Sequence, residues 1–282
     1  MPVRTSAIGH QFDPIDVTTD TRWTMAYAAG VPDDRPELYA TDQLLSVHPL
    51  FPVGPEWALI TGNRSLPEGL TLDEARRGIH VAHDLLLTRP LAADAAYRLT
   101  AHVAAVGRRS AGATTDMVVT ATDQHGEVAW RTRMSSLYLA VELEGEPADD
   151  GGDWPALPPE PTAAPMVSRA SFVRPIDAHV YTECARIYNP IHTDVVAARA
   201  AGLTAPILHG TATLARAVSI ATDLVGVPVA AVSRIACRFG AMVDLGTTID
   251  VRVLKIEQHG FRFDVLNEAG QRAIAHGVVE HG

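Results

Sequence analysis

The sequence predicts an α+β protein in which one antiparallel plan is used twice. Three observations carry that reading. An acidic, proline-dense stretch at residues 144–165 splits the chain, and its body reads GEPADDGGDWPALPPEPTAAP from Gly145 to Pro165. On each side of it a helix signal comes early and strand signals fill the end. A longer Ala- and Thr-rich segment, His209–Leu224, reads as a second helix between the two groups in the later half. The units implied are 1–143, a linker 144–165, and 166–282.

In the first unit, Thr19 or Asp20 can cap a helix running through Ala29. Trp23, Ala26 and Tyr27 share one face of it, and Gly30 ends it. Strands are expected at Ile79–Leu87, Ala96–Val106, Thr114–Thr122 and Val128–Val141, where apolar and polar residues alternate. Asp123 and Gly126 mark a hairpin turn. In the second unit, Asp177 can cap a helix whose Val180, Cys184 and Ile187 fall at i, i+4 and i+7. Four strands follow the long helix: Ala231–Phe239, Thr248–Ile256, Phe261–Asn267 and Arg272–Val279. Small side chains on His209–Leu224 let a curved sheet approach closely. Periodicity alone supports only a duplicated α+β fold; a long helix wrapped by an antiparallel sheet is the hotdog arrangement, and two copies of it would make a double hotdog.

Composition narrows the function classes. Hydrophobic residues make up 47% of the chain, so a large core is available. The 23 basic against 33 acidic residues give −10 with His neutral, and no basic run is present, which argues against nucleic acid. Lys255 is the only lysine. Two cysteines, Cys184 and Cys237, are too few to staple the chain and have no metal-type spacing. Neither a signal-peptide core nor an apolar run of membrane-spanning length occurs. A soluble, reduced, cytoplasmic protein without membrane contact is expected, with no cofactor and no metal. His80 and His83, three apart on a strand, should point to opposite faces, which argues against a shared metal.

The segment that carries chemistry is Tyr188-Asn189-Pro190-Ile191-His192-Thr193-Asp194. Pro190 disfavours helix at Asn189, so the helix from Asp177 must stop near Tyr188. Asn189 and His192 then sit on a stiff turn that fixes an imidazole in space, and Asp194 can cap a short helix, Val195–Ala201. Seventeen residues after His192, Ile207-Leu208-His209-Gly210-Thr211 opens the long helix. Its free N–H groups and positive dipole end suit a developing oxyanion, and Gly210 lets a ligand approach the backbone. A His whose pKa lies near working pH can move a proton there. A base facing an oxyanion site is what reversible hydration of an α,β-unsaturated thioester needs.

Asn189-Pro190-Ile191-His192 with Leu208-His209-Gly210 downstream resembles the hydratase 2 signature of MaoC-like proteins. Ala26–Val31, Gly78–His83 through Arg89-Pro90-Leu91, Arg238-Phe239 and Leu245-Gly246 resemble other parts of the two-domain, (R)-specific enoyl-thioester hydratase/dehydratases. The resemblance implies a C-terminal hotdog that carries the catalytic residues and a degenerate N-terminal one that accommodates the acyl chain. It implies a substrate held on coenzyme A or an acyl carrier protein. His192 and Asn189 are the catalytic candidates; Gly210, His209, Tyr188 and Ile187 are the substrate-contact candidates.

The family motif reads Gly-Asp-x-Asn-Pro-Leu/Ile-His, and here Arg186 and Ile187 stand where Gly and the catalytic Asp belong. Isoleucine can neither hold water nor share a proton, and losing one member of a cooperating pair costs orders of magnitude in rate. Asn189, Tyr188 or Glu183 are conceivable substitutes, or His192 suffices with an easier substrate. Arg186 should face solvent or a ligand phosphate, and Arg186 and Arg234 are candidates for a basic tunnel mouth. The departure opens two alternatives to hydratase/dehydratase chemistry. One is a repurposed enzyme that cyclises or isomerises a polyketide or polyene, acting on a released polyketide. The other is a non-catalytic acyl-binding protein. Exposed hotdog edges leave room for a homodimer.

Overall fold

The computed structural model describes every residue except 1, 63–68, 76, 151 and 163. The first half contributes strand β1 (Ile15–Thr19), helix α1 (Thr21–Gly30), helix α2 (Val53–Gly62), and strands β2 (Gly78–Leu87), β3 (Ala95–Arg109), β4 (Gly112–Asp123) and β5 (Val128–Leu139). The second contributes β6 (Val167–Phe172), helices α3 (Asp177–Ala185), α4 (Val195–Ala200) and α5 (Gly210–Val225), and strands β7 (Val232–Phe239), β8 (Thr248–Glu257), β9 (Gly260–Leu266) and β10 (Arg272–His281).

Ten of these strands form one antiparallel path, β1-β3-β4-β5-β2-β7-β10-β9-β8-β6. Read outward from the centre, the two halves have the same order, so the duplication expected from the sequence is visible in the topology. The chain is a double hotdog, α+β in class. The halves join where β2 pairs with β7, from Arg234↔Leu86 to Arg238↔Ala82. This pairing hides one edge of each half, and β1 and β6 are left at the two ends of the path. A buried ion pair sits on it: Arg234 grips Asp84 with Nε at 3.0 Å and a second nitrogen at 2.8 Å.

The strands alternate because one face of the sheet packs inward and the other carries charged and polar groups. On α5 the fully buried Leu214, Ala217, Val218 and Ala221 share a core with Val251, Phe261 and Phe263 of the sheet. The alanines keep the helix surface low enough for the strands to curve around it. The matching helix of the first half, α2, is much shorter. It buries Val53, Gly54 and Leu59, and its Glu56 accepts a hydrogen bond from Trp130 Nε1 at 2.9 Å.

Local expectations can be compared directly. Asp20 caps α1, accepting from Trp23 N at 2.7 Å. Asp194 caps α4, accepting from Val196 N at 2.7 Å. Asp177 is not a cap: it is the first residue of α3, and its carboxylate is taken by Arg174 and Arg216. The 144–165 stretch is tied to the sheet. Ala148–Asp149 pairs with β3, the Pro155 carbonyl accepts from Arg234, and Glu160 holds Arg272. No helix among the described residues is long and apolar enough to cross a membrane.

Candidate active site

The site forms where the turn after α3 meets the start of α5. Pro190–His192 is a single 3-10 turn, and the Asn189 side chain caps it, accepting from Ile191 N at 3.5 Å. Asn189 thus shapes the turn that aims His192. His192 is 8% exposed, and its Nδ1 lies 2.9 Å from the Ile207 carbonyl. A carbonyl can only accept, so Nδ1 carries the proton and Nε2 keeps its lone pair. Burial pushes the His192 pKa down to about 4. At neutral pH the ring is an uncharged base with a fixed tautomer.

His209 is the N-cap of α5 and stacks on His192, with ring centroids 3.7 Å apart and planes 26° from parallel. Its Nε2 meets the Thr182 hydroxyl at 3.2 Å, which ties α3 to α5. Burial, reinforced by His192, pushes its pKa down to about 2. Its Nδ1 and the hydroxyl of the neighbouring Tyr181 are buried without a hydrogen-bond partner. Buried orphan polar groups are costly, and they concentrate where a ligand or water completes them.

Gly210 is the first residue of α5 and is exposed, and Thr211 after it is partly exposed. A Cβ built on it would stand 3.2 Å from a ring carbon of Phe239 on β7. A side chain there would need the Phe239 ring to give by a few tenths of an ångström. His192, His209 and Gly210 therefore come together.

Tyr188 and Ile187 do not join them at the opening. Tyr188 is 57% exposed, and the Ile187 side chain is 5% exposed within the apolar core. Glu183 is also exposed. Arg186 ends α3 in the left-handed conformation, φ 59°, which suits glycine and costs any other residue about 1–2 kcal/mol. Its guanidinium lies over the Trp23 ring at 4.0 Å. Arg234 is not free at a tunnel mouth: it is 3% exposed, paired with Asp84 and, at 3.0 Å, with Glu280.

One expectation is overturned by the backbone. His80 and His83 do not point to opposite faces. A bulge at Val81 shifts the register of β2 against β5, and the two rings meet edge to face at 5.4 Å. A bulge of this kind leaves no signal in residue types. Among the described residues no group of three or more His, Cys, Asp or Glu is placed to hold a metal ion. Two surface bays, about 500 and 400 Å³, open elsewhere: beside His259 and His281, and beside Pro32 and Phe172; neither contains His192.

Residues 158–276 match the MaoC-like domain. The chain is similar to enoyl-CoA hydratase ChsH3 of Mycobacterium tuberculosis, 27% identical over 259 residues and covering 88% of each chain. It superposes on a MaoC-like dehydratase from Phytophthora capsici with a TM-score of 0.88 at 20% identity, covering 99% of this chain and 97% of that one. A Mycobacterium tuberculosis protein described as a double hotdog gives 0.65 at 15% identity, covering 97% and 95%. The chain is a double hotdog whose C-terminal half carries a MaoC-like domain.

Proposed function

We infer that the protein adds water to, or removes it from, an α,β-unsaturated or 3-hydroxy acyl thioester, with His192 as its acid/base. The observation that carries this reading is the His192–Ile207 hydrogen bond. It leaves Nε2 as a free lone pair beside the open first turn of α5. In the hydration direction, water oxygen bonds to C3 while a water proton passes to His192 Nε2. The π electrons move onto the thioester oxygen, where the N–H groups at Gly210 and Thr211 stabilise the charge. His192 then returns the proton to C2 and the carbonyl re-forms. Dehydration is the reverse.

Coenzyme A is the favoured carrier, because the relative similar over most of the chain is named as an enoyl-CoA hydratase. The cyclisation and isomerisation reading rests on Ile187 alone, and no comparison favours it. A purely acyl-binding role would leave the fixed tautomer of His192 without a use. The test is turnover of a panel of trans-2-enoyl and 3-hydroxyacyl thioesters, each offered on coenzyme A and on an acyl carrier protein. Consumption of one member with formation of its hydrated or dehydrated partner supports the reading. Failure to convert any member overturns it.

A further inference from the structure

The resemblance assigns the reacting water to a carboxylate, and here that position is Ile187, inside the apolar core. The N-terminal half brings a different group to the same opening. The bulge at Val81 sets His80 opposite Ser136 and Ala82 opposite the adjacent Ser135, which turns His80 toward β7. Its ring packs edge-on against Phe239 at 4.8 Å. Phe239 in turn lies against Gly210, at the mouth of α5. His80 from one half thus approaches the start of α5 through Phe239, and His192 from the other through its stacking on His209.

Their tautomers are fixed in the same way. His80 Nε2 lies 2.9 Å from the Ala82 carbonyl, so it donates and Nδ1 keeps the lone pair. His83, behind it, is 2% exposed with both ring nitrogens unpartnered, whereas His80 is only half-buried. Of the two, His80 is the one a ligand can reach.

We propose that His80 holds the reacting water in this site, in place of the carboxylate that Ile187 has removed. Its Nδ1 accepts a hydrogen bond from the water that adds to C3 or, in reverse, from the 3-hydroxyl that leaves. The proton lost by the water goes to His192 and then to C2, as above, and His80 ends each turnover unchanged. The proposal rests on the hydratase reading and deepens it.

The experiment is steady-state hydration of a trans-2-enoyl-CoA by wild type, His192→Ala, His80→Leu, and His80→Gly with and without added imidazole. Thermal melts check the fold of each. His80→Leu is expected to lower kcat by about 100-fold with KM held within about threefold, the pattern of an interaction made with the reacting group. Imidazole is expected to restore His80→Gly by about tenfold or more, which a purely structural role would not permit. A His80→Leu that keeps kcat within about threefold overturns the proposal, as does a His80→Gly that imidazole leaves unchanged. Loss of turnover in His192→Ala beside full turnover in His80→Leu would remove only the role of His80. A silent wild type would remove the hydratase reading itself.

Discussion

Acidification acts on this fold through five buried or half-buried imidazoles: His48, His80, His83, His192 and His209. Burial pushes His48, His80 and His192 down from 6.5 to about 4, pushes His209 to about 2 with help from His192, and lowers His83 well below the ordinary value. The unfolded chain titrates these groups near 6.5. Between pH 6.5 and about 4 it therefore holds protons that the folded chain refuses. Stability that is complete above pH 6.5 drains away as the pH falls through this window. Glu56 opposes the trend. Burial raises its pKa from 4.5 to about 7, so over the same range the fold holds a proton that the unfolded chain has released. From pH 6 to pH 5 the net excess on the unfolded chain is about three and a half protons, worth about 4–5 kcal/mol in all. Total stabilities of about 5–15 kcal/mol make that a large fraction, equivalent to a fall in Tm on the order of 10 °C. The assay is thermal unfolding at constant ionic strength from pH 7 to pH 5, with His48→Gln as a companion. His48 bonds Ser219 at 3.0 Å and accepts from Leu50 N at 3.1 Å, and replacing it should remove about one proton from the slope. A Tm that stays level across the window in wild type would refute the reasoning.

Three further outcomes follow from named contacts. Ile187→Asp places a carboxylate in an apolar core and should cost about 2–4 kcal/mol in urea unfolding, and an unchanged midpoint would contradict the burial of this position. Asp84→Ala strips the bidentate partner from Arg234 at the β2–β7 joint; a loss of about 3–5 kcal/mol is expected, and a loss below about 1 kcal/mol would show that Glu280 and the Pro155 carbonyl suffice. Arg186→Gly should be about 1 kcal/mol more stable than Arg186→Ala, because both lose the Trp23 stacking but only glycine is at ease in the left-handed conformation. Equal stabilities would contradict that origin of the strain.

The strands of both halves were legible because each is a half-buried strand bounded by turn residues, and alternation is the direct imprint of that geometry. The outer strands were not. Ile15–Thr19 and Val167–Phe172 pair on one side only and leave most of their residues outside the core, so little in their residue types marks them as strands. The α2 helix has no signature in the sequence because its residues, VGPEWALITG, are apolar on most sides and form no helical stripe. The motif around His192 was legible because its geometry is local: Pro190 stops the helix, Asn189 caps the turn, and Gly210 opens α5. The placement of His80 was not legible, because one bulged residue reverses which face a side chain takes. Arg186 showed only as a departure from a glycine; the reason for the glycine, a left-handed helix end, lies in φ rather than in side-chain chemistry.

The central claim is that the neutral imidazole of His192, fixed by Ile207, transfers the proton in hydration of an enoyl thioester. The most direct measurement is kcat/KM of wild type and His192→Ala on the best trans-2-enoyl-CoA of the panel, with melts to show that both are folded. The account predicts a loss of about 100- to 10,000-fold in the variant. A folded His192→Ala that hydrates the substrate at close to the wild-type rate would contradict it.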